Sequence, residues 1–200
     1  MIGLRMPGEM GPCAAPRRQQ LSILVIDDNP GDRRLAEMSL KVGAQDAGAD
    51  CDVLLAACLA DGAALLETLA AGGPDAILLD LGLPDACGFA GLHKLKALRP
   101  DVPVIILTGL DESAKATTAL SSGAADYLEK DDIRPRSLWR SVSYALERKK
   151  FQEELMHLAR TDPLTSVKNR RALIEGLELS MDNASRSKTF CAVLIIDIDN

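Results

Sequence analysis

Aromatic side chains are scarce: the 200 residues hold one Trp, two Tyr and three Phe. With 47% apolar residues overall, a core has to be assembled mostly from Leu, Ile, Val and Ala. Paired cysteines are missing as well. The five present, Cys13, Cys51, Cys58, Cys87 and Cys191, are scattered, odd in number and nowhere spaced as C-x-x-C. That pattern argues against a disulfide framework or a zinc site and points to reduced thiols in the cytoplasm. Long apolar runs are absent too. None nears the roughly 20 residues that cross a bilayer, so no membrane association is expected. Residues 1–20 carry Gly, Pro and Arg but no apolar stretch of the signal-peptide kind. They are read as a disordered lead-in, with Met6 or Met10 as alternative starts. Finally, there is no basic excess. A net charge of −6 argues against a nucleic-acid surface as the main function.

What is present is a set of apolar runs that each lead into polar chemistry. Ala76-Ile77-Leu78-Leu79 runs into Asp80 and then into a Gly/Pro turn, Leu81-Gly82-Leu83-Pro84. Residues 21–26 end in Asp27-Asp28, residues 102–107 in Thr108, and residues 125–128 lead to Lys130. Unbroken apolar runs suit strands buried on both faces, as in a parallel sheet. A further strand is expected over residues 51–57. Helical patterns lie between the strands. The first opens on Asn29-Pro30, a cap followed by a first-turn proline, and runs to about Val42. Leu65, Leu66 and Leu69 mark the second, and Phe89, Leu92, Leu95 and Leu98 the third. A fourth is expected over about residues 111–122, and Pro135 opens a long fifth. Residues 43–50 read as a loop. Five βα units at short spacing predict an α/β fold: a doubly wound, five-stranded parallel sheet with helices on both faces.

In such sheets ligands sit at the carboxyl ends of the strands. Asp27, Asp28, Asp80, Thr108 and Lys130 are therefore expected at one rim. Carboxylates packed together resist ionising, and a hard divalent cation such as Mg²⁺ relieves them through oxygen ligation. Lys130 adds a point charge and Thr108 a hydroxyl. Such a set can neutralise a phosphoryl group as it moves to a carboxylate oxygen. Asp27-Asp28 alone reads equally well as a cap on the first helix; Asp80, Thr108 and Lys130, each ending its own strand, tip the reading towards chemistry.

This five-point pattern over residues 21–146 resembles the response-regulator receiver domain, a flavodoxin-like fold. The resemblance implies that Asp80 accepts a phosphoryl group from a sensor histidine kinase. It implies that Asp27, Asp28, Asp80 and the backbone carbonyl of Gly82 bind Mg²⁺, and that Thr108 and Lys130 contact the phosphoryl oxygens. Tyr127 matches the aromatic switch that moves inward with Thr108. Many receivers follow the lysine with proline; here Asp131 follows, which implies a looser or differently shaped loop after the fifth strand.

Beyond its docking residues Leu138, Val142 and Ala145, the last receiver helix carries a second stripe. Tyr144, Arg148, Phe151, Leu155 and Leu158 alternate spacings of four and three, a heptad seam. Residues 147–160 are accordingly expected to form a helical, coiled-coil-like linker. Next, Asp162-Pro163-Leu164-Thr165-Ser166-Val167-Lys168-Asn169-Arg170-Arg171 resembles the D-x-L-T-G-L-x-N-R-R opening of GGDEF diguanylate cyclase domains, with Ser166-Val167 in place of Gly-Leu. An amphipathic segment over residues 170–179, a polar break over 182–188 and a strand-like apolar run over 190–196 follow. The run ends in Asp197-Ile198-Asp199 and looks like a domain cut short. The resemblance implies that the Asp197 carboxylate and the Ile198 carbonyl form part of a Mg²⁺ site beside GTP phosphates. A haloacid-dehalogenase-like phosphatase also places D-x-D after an apolar strand, but leaves residues 162–171 unexplained.

The expected organisation is a lead-in (1–20), a receiver (21–146), a linker (147–160) and the N-terminal part of a second α/β domain of GGDEF type (161–200). The expected function is that of a two-component response regulator. Phosphorylation of Asp80 would control dimerisation and a diguanylate cyclase domain that makes cyclic di-GMP. The alternative is a receiver that only docks partners, with a non-catalytic tail. Expected partners are a histidine kinase, a second copy of the chain, and GTP where the cyclase domain is complete. The GGDEF sequence itself does not occur in these 200 residues, so this polypeptide is expected to lack cyclase activity.

Overall fold

The computed structural model describes residues 20–69, 73–109, 116–162 and 164–196. The expected lead-in, residues 1–19 of it, lies outside them. The chain divides into two units, Met1–Glu147 and Arg148–Asn200.

In the first unit, the apolar runs form five parallel strands among the described residues: β1 (Gln20–Ile26), β2 (Asp50–Ala56), β3 (Ala76–Asp80), β4 (Val104–Thr108) and β5 (Asp126–Glu129). Their order in the sheet is β2-β1-β3-β4-β5. Side chains alternate across a strand, and here both faces are covered. Leu24, Ile26, Ile77, Leu79, Val104 and Ile106 pack into one cluster with α2 (Leu59–Thr68), α3 (Ala90–Leu98) and Ala119 of α4 (Ala116–Ser121). Ile23, Val25, Leu78, Ile105 and Leu107 pack into the other, with α1 (Pro30–Asp46) and α5 (Pro135–Arg160). Burial on both faces is why these strands carry no polar alternation. Residues 110–115, the expected start of the fourth helix, lie outside the described ones.

In the first unit, the end of α1 departs from the sequence reading. α1 continues through residues 43–46, which were expected to be loop. Gly43 reads as a helix breaker, but here it is a close approach. A Cβ at this position would stand 2.6 Å from both the Pro135 carbonyl oxygen and Trp139 Cβ of α5. The missing side chain lets the two helices touch.

Asp85, in the turn after β3, caps α2 from outside that helix. Its Oδ1 accepts from the Leu59 amide at 3.0 Å and its Oδ2 from the Ala60 amide at 2.9 Å. Two of the helix's free N–H groups are satisfied in this way. The Leu59 amide, with Ala60 behind it, holds the Asp85 carboxyl below its ordinary 3.8. A carboxylate with a depressed folded pKa adds stability above its ordinary pKa and loses it as pH falls through the folded value. Loss of this cap in Asp85→Ala is expected to lower the unfolding free energy near neutrality by about 0.5 kcal/mol, the low end of the capping range because the carboxylate is exposed and screened by solvent. The gap to wild type should close as pH drops below 3.8. Urea titrations across that window measure it, and a gap that persists at the acid end would assign the loss to packing.

The second unit is helical in its described part. The C-terminal part of α5 exposes Phe151, Leu155 and Leu158. Asp162 Oδ1 then accepts from the Leu164 amide (3.1 Å), the Thr165 amide (2.9 Å) and the Thr165 hydroxyl (2.9 Å), tying a turn. Ser166 sits in that turn at φ 59°, in the left-handed region that favours glycine, which is why a glycine suits this position. Asn169 caps α6 (Arg170–Ser187) through the Ala172 amide at 3.0 Å. α6 runs through the polar stretch expected to break it, because residues 177–187 contain neither Gly nor Pro. Residues 190–196, expected as a buried strand, form none. Phe190, Leu194 and Ile195 are exposed. Among the described residues of this unit there is no strand to pair with, and a lone strand leaves its ladder bonds unmade.

No helix among the described residues is long and apolar enough to cross a membrane. Cys51, Cys58, Cys87 and Cys191 are free thiols.

Candidate functional site

The sheet register assembles the site. Ile26 pairs with Leu79, so the next residues, Asp27 and Asp80, stand side by side at the strand ends. Asp80 pairs with Leu107, which puts Thr108 one step on, and Thr108 pairs with Glu129, which puts Lys130 one step beyond. Four strand ends thus deliver two carboxylates, a hydroxyl and an ammonium to one rim. Asp28 adds a further carboxylate: oxygens of Asp27, Asp28 and Asp80 lie within 4.8 Å of one another.

Asp27, Asp80 and Thr108 are buried, and Asp28 is exposed. Lys130 Nζ stands 2.8 Å from Asp27 Oδ2 and 2.8 Å from Asp80 Oδ2. The contact with Asp80 is a hydrogen bond, whereas that with Asp27 is a charge contact alone. Asp27 Oδ2 is therefore buried with an ionic contact but no hydrogen bond, while Oδ1 accepts from the Asn29 amide at 2.8 Å. Burial pushes the Asp27 carboxyl above its ordinary 3.8, against the pull of Lys130 and the Asn29 amide. For Lys130, burial alone would depress the ammonium. Its contacts with Asp27, Asp80 and Asp32 outweigh that and hold it above its ordinary value. The two shifts have different causes: burial dominates at Asp27, and the surrounding acids dominate at Lys130.

Gly82 donates its amide to Asp80 Oδ1 at 3.0 Å, which fixes that carboxylate from the turn side. Thr108 Oγ1 is buried with no hydrogen-bond partner. Tyr127 is partly buried on β5, against the cluster that includes Ile106, its partner in the sheet register. Lys130 opens a short 3-10 turn, Lys130–Asp132, where a looser or differently shaped loop was expected. Asp197 and Ile198 lie outside the described residues.

One residue at the rim was not anticipated. Asp32, in the first turn of α1, accepts from Lys130 Nζ at 3.0 Å. In the sequence it looks like any acid near a helix N-terminus, where the dipole favours one. Only the fold shows that this turn faces the end of β5. Arg33, next to it, donates to the Asp27 carbonyl.

The set is oxygen-rich, strongly acidic and incompletely satisfied. It can take a hard cation, and beside it stands a nucleophilic carboxylate with an ammonium within hydrogen-bond reach.

Residues 23–142 match the model of the response regulator receiver domain, and residues 159–200 that of the diguanylate cyclase GGDEF domain. The chain is similar to the probable transcriptional regulatory protein TcrX of Mycobacterium tuberculosis, 30% identical over 112 residues, which are 56% of this chain and 44% of that protein. It is also similar to the DNA-binding transcriptional regulator NtrC of Escherichia coli, 36% identical over 108 residues, 54% of this chain and 21% of that protein. The chain thus spans less than half the length of either relative. Among solved structures, a response regulator receiver domain protein from Clostridium thermocellum superposes with a TM-score of 0.57 at 28% identity, over 66% of this chain and 98% of that one.

Proposed function

Because the chain belongs to the response-regulator receiver family of two-component signalling, we propose that Asp80 is its phospho-acceptor and that phosphorylation controls the pairing of two copies through α5. The observation that carries this reading is the meeting of Asp80 with Lys130, Asp27 and Asp28 at one rim. Asp80 supplies the nucleophilic oxygen. As its bond to phosphorus forms, the P–N bond to the imidazole of a histidine kinase breaks. The imidazole keeps the bonding pair and takes a proton from solvent. Lys130 and Thr108 hold the phosphoryl oxygens, and the unpartnered Thr108 hydroxyl supports that role.

Mg²⁺ fits the donor set, which offers clustered carboxylate oxygens and a buried Asp27 Oδ2 that accepts no hydrogen bond. Asp27, Asp28, Asp80 and the Gly82 carbonyl would hold it. Bound there, it supplies neutralisation of phosphoryl charge. Thr108 and Tyr127 lie on adjacent strands, and Tyr127 is incompletely buried, which supports a coupled inward movement of the two.

The receiver is assigned to residues 21–146, the linker to 147–160, and the opening of a GGDEF domain to 161–200, in a cytoplasmic protein. A complete GGDEF domain would convert GTP to cyclic di-GMP. Pairing is supported by Tyr144, Phe151, Leu155 and Leu158, all more than half exposed along α5. TcrX and NtrC are named as transcriptional regulators, and the match covers only 44% and 21% of them, so their outputs are not carried over.

The test uses the wild-type chain, acetyl phosphate and Mg²⁺. One phosphoryl group is expected by mass, none after chelation, and a shift towards dimer in sedimentation. Coupling of about 1–3 kcal/mol corresponds to roughly a 5- to 150-fold change in the dimer constant. Leu155→Asp should erase the shift without affecting labelling. Labelling that survives chelation, or a chain monomeric in both states well above micromolar concentration, would sink the corresponding half of the proposal.

A further inference from the structure

Lys130 has three carboxylate partners: Asp27 Oδ2 at 2.8 Å, Asp80 Oδ2 at 2.8 Å and Asp32 Oδ2 at 3.0 Å. Two of them, with Asp28, form the cluster that can share a cation; Asp32 is not part of that cluster. The ammonium and a divalent cation therefore compete for the oxygens of Asp27 and Asp80. A bound cation would take two of the ammonium's three partners and repel it as well. Yet the lysine is needed at the rim to meet a phosphoryl group.

Asp32 is placed to resolve that conflict. It occupies the third helical position after the Asn29 cap, where an acid usually turns back to the cap residue's own amide. Here that amide already donates to Asp27 Oδ1 at 2.8 Å. The Asp32 carboxylate reaches the lysine instead. Pro30 and the Asn29–Gly31 hydrogen bond of 2.8 Å make its turn a fixed one.

We propose that Asp32 is the positioning residue that keeps the Lys130 ammonium at the rim when Mg²⁺ occupies Asp27, Asp28 and Asp80, so that both cations serve the site together. This rests on the reading of those three acids as metal ligands. It differs from a plain helix-dipole role, or from a general effect of one more negative charge, because either of those would act whether or not the lysine is present.

Calorimetric Mg²⁺ titration of the whole chain tests it, with thermal melting to confirm folding. Asp32→Asn should weaken Mg²⁺ binding about three- to tenfold, the range for a partly buried charged contact. Asp32→Glu should restore most of it. In a Lys130→Met background, Asp32→Asn should change the affinity by less than about twofold. Equal weakening in both backgrounds would mean that Asp32 acts by charge alone and would overturn the proposal, as would no weakening in the wild-type background. A wild-type chain that binds no Mg²⁺ would overturn the metal reading itself, and this inference with it. Wild-type binding with an unaffected Asp32→Asn variant would overturn only the inference.

Discussion

A chain carrying Asp80→Asn is expected to take up phosphoryl groups from acetyl phosphate at least about a thousandfold more slowly than wild type, because the nucleophile itself is gone. Asparagine keeps the shape of the side chain, and its carbonyl can still accept the Gly82 amide that now donates to Oδ1. The neutral amide is a poor nucleophile. It also removes one of the acids clustered with Asp27 and Asp28. Relief of that repulsion offsets the loss of the Lys130 contact, and Lys130 retains Asp27 and Asp32. The fold should therefore persist while chemistry stops, a pairing that separates a reactive residue from a structural one. Intact-protein mass spectrometry over a time course reads the rate, and far-ultraviolet circular dichroism reads the fold. Undiminished labelling of the variant would place the acceptor elsewhere.

The second large effect concerns stability. Gly43→Ala is expected to destabilise the first unit by about 2 kcal/mol, although Ala is the better helix former by roughly 1 kcal/mol. The sign follows from what the new methyl would strike. The Pro135 carbonyl oxygen and Trp139 Cβ, both at 2.6 Å, are fixed to the backbone of α5 and cannot rotate away. One helix has to shift. At Gly62 the contact that a methyl would meet is Ile26 Cδ1, the end of a flexible side chain, so the same change there should be milder. Urea unfolding of the two variants compares them directly. If Gly43→Ala is neutral or stabilising, the approach of α1 to α5 is looser than these distances imply.

Much of the first unit was legible because its strands carry one unmistakable signal. Runs such as Ala76 to Leu79 and Val104 to Leu107 are apolar without alternation, and each is followed or closed by a reactive side chain. Parallel strands all end at the same edge in such a sheet, so the sequence alone brings Asp27, Asp80, Thr108 and Lys130 together. The parts that were missed depend on contacts between distant segments. Gly43 looked like a breaker because its compensation comes from Pro135 and Trp139. Asp32 carries no signal of its own in the sequence, because its partner Lys130 is far away in the chain. Residues 190–196 looked like a strand because apolar content does not reveal whether a neighbour exists to bond with.

The single tryptophan has an optical consequence. Trp139 lies on α5 against α1, and the two tyrosines, Tyr127 and Tyr144, also belong to the first unit. The second unit therefore contains neither chromophore. Intrinsic emission and near-ultraviolet absorbance of the whole chain report the receiver alone. A melting curve followed by tryptophan emission would look like a single transition whatever the C-terminal helix does. Phe151 and Phe190 absorb too weakly to reveal it, so events in that unit need a signal from the peptide bond or an introduced label.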